Sequence, residues 1–130
     1  MRRRRQIAPT PPPRDGVEPY LALDSALKAR LRAAVEGERP LAEYEVRRLA
    51  EESGACSLVL GAALTRGEER LRDLDADPAS PIVEIAATFR DVSALRRDLG
   101  ELESLLADLQ ERARATRAAW LTASARSTSR

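Results

Sequence analysis

From Ile82 onward, apolar side chains return every three or four residues: Ile82, Ile85, Phe89, Val92, Leu95, Leu99, Leu102, Leu106, Leu109 and Ala113. That spacing is the signature of a helix with one continuous apolar stripe. At 1.5 Å per residue such a helix is ~45–60 Å long, more than two shorter helices can cover alone. The stripe therefore calls for a long antiparallel partner within the chain and for contacts between chains. The step from Val92 to Leu95 comes one residue early, which predicts a stammer in the stripe.

Two further helices are legible ahead of it. The first spans roughly 19–36, with Leu23, Leu27, Leu31 and Ala34/Val35 at helical spacing, and Gly37 and Pro40 end it. The second begins near Leu41 and carries the stripe Val46, Leu49, Ser53, Cys56, Leu60 and Leu64. Gly54 and Gly61 interrupt it. Each costs ~1 kcal/mol relative to alanine, so a closely approaching neighbour helix is expected there. Its end falls either at Gly67 or near Leu74. Asp75-Ala-Asp-Pro-Ala-Ser-Pro81 is a clear break, with Ser80 placed to cap the third helix and Pro81 at its first position. The expected fold class is all-α: a short N-terminal helix plus a long antiparallel helical hairpin, oligomerising, with disordered basic termini. Residues 1–18 form a basic, proline-rich arm, 19–112 the helical oligomerisation core and 113–130 a basic tail.

Composition sharpens the expectation of self-association. The only aromatic residues are Tyr20, Tyr44, Phe89 and Trp120, and aromatic side chains bury the most area each. A small domain without them has a thin core. The net charge of +1 hides an uneven distribution: residues 38–109 are acidic overall, whereas 1–18 and 110–130 are basic. Among the 22 basic residues only Lys28 is lysine.

Most catalytic chemistry lacks its usual groups. The chain has no histidine, the commonest general base and metal ligand, and its single cysteine lies on an apolar stripe. No glycine-rich phosphate loop occurs. Glu68, Glu69, Asp73, Asp75 and Asp77 cluster without the turn glycine of a calcium loop and read as solvated charge. No catalytic residue, metal or cofactor is expected. No apolar run reaches the ~18–20 residues of a membrane span, and Arg2–Arg5 lead into prolines rather than a signal-peptide core. The expected location is the cytoplasm of the cell that makes it, with no membrane contact.

Binding is the remaining chemistry. Arg2, Arg3, Arg4, Arg5 and Arg14 suit sequence-independent, salt-sensitive contact with phosphates. Lys28, Arg30 and Arg32 on the polar face of the first helix would extend that surface, though a solvated face explains them equally well. Arg112, Arg114, Arg117, Arg126 and Arg130 make the other end basic, and Trp120 among them can anchor in a partner's pocket or pack back on its own core. Leu49, Cys56, Leu60, Leu64, Ile85, Phe89, Val92, Leu95, Leu99, Leu102 and Leu106 are the candidate oligomerisation residues, and Arg112, Arg117 and Trp120 the partner-binding part of the tail.

The order of parts resembles the small terminase subunits of tailed phages, in particular the short kind from phages of GC-rich hosts. The likeness runs over residues 20–109. It rests on the helix opening Leu41-Ala-Glu-Tyr-Glu-Val-Arg-Arg-Leu49, the break ending in Pro81, and Ile82-Val-Glu-Ile-Ala ahead of a leucine-rich helix, with Glu45, Pro81 and Glu84 in matching places. The first helix lacks the tryptophan usual in that family. The resemblance implies a ring-like homo-oligomer without enzymatic activity that recognises viral double-stranded DNA as packaging begins. Such a subunit delivers DNA to the large terminase subunit, which carries the ATPase and nuclease. The second and third helices would then form the oligomerising hairpin, the N-terminal arm would contact DNA, and the C-terminal tail would contact the large subunit or further DNA. The main rival is a coiled-coil protein-interaction adaptor without nucleic-acid binding. A small helix-turn-helix regulator is disfavoured by a second helix too long and acidic for recognition of a groove.

Overall fold

The computed structural model describes residues 17–128, with side chains from residue 25 onward. Three helices follow in order: α1 (Val17–Glu36), α2 (Glu43–Ala76) and α3 (Ile82–Thr128). No strand occurs among the described residues, so the fold is all-α. α2 and α3 form a long antiparallel hairpin, and α1 lies against both.

The core follows the helical periodicity. Leu27 and Leu31 of α1, Leu49, Cys56 and Leu60 of α2, and Leu102 and Leu109 of α3 make one buried cluster. Each fully buried leucine contributes ~1.5–3 kcal/mol through removal from water. Val46, Leu95, Leu99, Leu105 and Leu106 pack around this cluster half-buried. Nearer the hairpin turn, Ala63, Thr88 and Val92 continue the seam between α2 and α3. Gly67 belongs to this seam. α2 passes through this glycine to Ala76 rather than ending at it, and a Cβ placed there would stand 3.0 Å from Cγ2 of Val92.

Thr88, not Phe89, occupies the buried position of α3: Thr88 is 8% exposed and Phe89 58%. With Thr88 in place the stripe reads 85, 88, 92, 95, 99, 102, 106, 109, a regular alternation of threes and fours. The stammer expected from the apolar residues is absent. A threonine presents its methyl to a core, and a pattern drawn from apolar residues alone passes over it.

The ends differ from expectation by a residue or two at most places. α1 stops at Glu36, where Gly37 N–H donates to the Ala33 carbonyl at 2.9 Å. α2 starts at Glu43 with no side-chain cap, but Glu43 and Glu45 in its first turn complement the helix dipole. The 77–81 break is held by Asp77, whose carboxylate accepts from Ala79 N–H at 3.0 Å and whose carbonyl accepts from Ser80 N–H at 3.0 Å. α3 begins at Ile82, one residue later than the Ser80 cap implies, with the Pro81 carbonyl accepting from Glu84 and Ile85 N–H.

The C-terminal segment departs most from expectation. Residues 113–128 were assigned to a disordered tail, yet α3 runs through them to Thr128. Alanine and arginine, both strong helix formers, fill much of this stretch. Its hydroxyl residues do not break the helix, because Thr122 and Thr128 donate back to the Ala118 and Ser124 carbonyls at 2.9 and 2.7 Å.

Candidate interaction surfaces

The basic arm residues Arg2, Arg3, Arg4, Arg5 and Arg14 lie outside the described residues. The cations of α1 do not form an open phosphate-binding face. Lys28 is buried, 5% exposed, with its Nζ 3.5 Å from Asp98 and 3.9 Å from Glu101 of α3. Its position next to Leu27 in the helical cycle turns it toward α3, where two carboxylates receive it. Arg30 pairs with Glu52 of α2, and Arg32 reaches Glu101 at 3.3 Å. The hydrogen bond from Arg30 holds the Glu52 carboxyl below the usual carboxylate value, with burial opposing and Arg48 adding to the effect. Arg39 does the same to Glu45 through two hydrogen bonds of 3.2 and 2.8 Å. These cations tie the three helices together.

Arg112 serves the fold as well. Its guanidinium donates to the Ala34 carbonyl and, at 3.0 Å, to the Arg39 carbonyl. Ala34 is within the last turn of α1, whose carbonyls have no partner inside the helix, and a cation there meets the negative end of the helix dipole. Arg117 extends to Glu43, the first residue of α2, at 3.4 Å. Of the three tail residues assigned to a partner, Arg112 is half-buried, Arg117 is exposed though paired, and Trp120 is 66% exposed beside an apolar groove of about 650 Å³ formed with Pro40, Leu41, Val46 and Leu121.

The candidate oligomerisation residues divide. Leu49, Cys56, Leu60, Val92 and Leu102 are buried within one chain. They seal the hairpin, and α1, through Leu27 and Leu31, covers part of the seam that was expected to need another chain. Leu64, Ile85, Leu95, Leu99 and Leu106 are half-buried, and Phe89 alone of the set is exposed. The large apolar residues that do face solvent are others: Tyr44 at 67%, Leu58 at 77%, Ile82 at 82% and Val83 at 78%. Leu58 could have been found in the sequence as the one leucine on α2 off its core stripe.

Gly54 and Gly61 are open. Nothing within 4 Å would meet a Cβ at either, so no neighbour within the chain makes the close approach expected there. Among the described residues no cluster of three or more metal-ligating side chains forms, and no helix is long and apolar enough to cross a membrane. Comparison of the chain with protein-family models, curated proteins and solved structures finds no match.

Proposed function

We propose that this chain is a self-associating, non-catalytic helical subunit that engages double-stranded DNA, in the role of a small terminase subunit in phage genome packaging. The observation that carries the reading is the build of the hairpin. One side is sealed by its own core, while Leu58, Phe89, Ile82 and Val83 are left in solvent around it. Large apolar residues spread in this way over a long hairpin suit association with further copies. In sequence the hairpin is joined through α1 to Arg2–Arg5, whose donors match phosphate oxygens. The partners in this reading are other copies of the chain, duplex DNA and the large terminase subunit in the host cytoplasm. A ring-like homo-oligomer is its natural assembly.

A second reading, a protein-interaction adaptor without nucleic-acid binding, is favoured by one observation. Lys28, Arg30 and Arg32 are all engaged by carboxylates of the same chain, as Arg114 and Arg117 are further along α3, which leaves phosphate contact chiefly to the arm.

Light scattering with and without duplex DNA, at low and moderate salt, separates the two. The terminase reading expects an oligomer of defined stoichiometry that gains mass with DNA and loses the gain as salt rises or when residues 2–5 are removed. An oligomer indifferent to DNA at low salt would overturn it in favour of the adaptor.

A further inference from the structure

α2 carries a second stripe, set directly opposite the core. At 3.6 residues per turn, Leu58 lies about half a turn around the helix from Leu49, Cys56, Leu60 and Ala63. Centred on Leu58, positions 44, 47, 51, 54, 58, 61, 65, 69 and 72 fall on one outward face at spacings of three and four. Gly54 and Gly61 flank Leu58 on this face with open space above them. The Thr65 hydroxyl is turned inward to the Gly61 carbonyl at 3.0 Å, so that its methyl is what the face presents.

Arg48 is taken by Glu52, Glu68 by Arg96 of α3 and Arg70 by Glu84. Arg47, Glu51, Glu69 and Arg72, on or beside the Leu58 stripe, have no ion-pair partner among the described residues. Their order is self-complementary when the helix is laid against a reversed copy of itself. In a two-fold pairing centred on Leu58, each position meets the one equally far on the other side. Arg47 then meets Glu69, Tyr44 meets Arg72 face to cation, Glu51 meets Thr65, and Gly54 meets Ala62. Leu58 meets Leu58. A parallel pairing would instead place Arg47 on Arg47 and Glu69 on Glu69.

We propose that this face of α2 is an interface with a second copy of the chain, paired antiparallel about a two-fold axis through Leu58. The glycines and alanines beside Leu58 let the helices approach to the short end of the 8–10 Å range of helix packing. Arg47 and Glu69 sit about 16 Å from the axis along α2. At a shallow crossing, near +20°, long side chains still span the gap there. The contact is isologous, so every favourable pair off the axis occurs twice. It deepens the self-association in the reading above but needs no DNA, and it stands if DNA binding fails. Two-fold pairing predicts an even subunit number; a larger ring would require a further contact elsewhere, for which Ile82, Val83 and Phe89 remain exposed.

The test is made on the full chain without DNA, by analytical ultracentrifugation and by crosslinking. Leu58→Glu is expected to dissociate the pair while leaving the helical circular dichroism unchanged, since Leu58 is 77% exposed. Arg47→Glu and Glu69→Arg are each expected to weaken it roughly tenfold, through two repulsive pairs, and the double exchange Arg47→Glu/Glu69→Arg to restore it. In a Cys56→Ala background, Leu58→Cys should oxidise to a reducible dimer, and Glu103→Cys, on the exposed surface of α3, should not. A monomeric wild type, a Leu58→Glu variant of unchanged mass, or a double exchange no better than either single one would overturn the proposal.

Discussion

Arg112 shows how much one side chain can settle in a chain with so thin a core. It closes the end of α1 and fastens the 37–42 connection to α3 through two carbonyls. Hydrogen bonds to a charged group contribute about 1.5–3 kcal/mol net. Arg112→Ala is accordingly expected to lower stability by about that amount in chemical denaturation, and Arg112→Lys, with no planar fork, to recover only part of it. The glycines give a contrast of sign. Gly67→Ala sets a methyl against Val92, which is 2% exposed, β-branched and without room to turn aside, and should destabilise the hairpin. Gly61→Ala meets nothing within the chain and should stabilise the helix by up to ~1 kcal/mol. In the paired state proposed above the same methyl pushes two helices apart, so Gly61→Ala should raise the thermal midpoint of a dilute sample and weaken association in a concentrated one.

At the scale of the elements, periodicity made three helices, the 77–81 break and most of the core legible. Leu27, Leu31, Leu49, Ser53, Cys56, Leu60, Val92, Leu102 and Leu109 were all placed on the inward stripes and all are buried. What stayed hidden depended on which neighbour a side chain meets. Lys28 reads as a surface cation until Asp98 and Glu101 are brought beside it. Phe89 reads as core until Thr88 takes its turn of the helix. The C-terminal extension of α3 is hidden in the sequence because serine and threonine count against a helix unless their hydroxyls bond back to it. The candidate surfaces were less legible than the core, since Leu58, Ile82 and Val83 are recognised only once the inward faces are assigned. The phase of α3 can be checked directly. Phe89→Gln should cost less than about 0.5 kcal/mol, as surface changes do. Leu102→Ala should cost about 2.7–5 kcal/mol in the same denaturation experiment.

For the whole molecule, ion pairs between helices set the response to pH. Glu52 and Glu45 are held below the usual carboxylate value by hydrogen bonds from Arg30 and Arg39. A carboxylate depressed in the folded state contributes stability above its unfolded value, and that contribution is lost as pH falls through the folded one. The thermal midpoint should therefore decline as pH is taken from about 5 towards 3, and the Glu45→Gln/Glu52→Gln variant should show a shallower decline. The change is small because both pairs are solvent-screened. With no histidine in the chain, the midpoint should be level between about pH 6 and 8.

The placement of Trp120 has an optical consequence. It is the single tryptophan of the chain, and it stands 66% exposed on the part of α3 that outlasts α2. Its emission therefore reports on the far end of one helix and not on the leucine core. Heating followed by tryptophan fluorescence and by far-ultraviolet circular dichroism should give transitions that do not coincide, even where the core itself melts in one step. The same isolation makes the indole a built-in sensor: a blue shift on adding a partner would mean that the C-terminal groove has been filled, without any label attached to the protein.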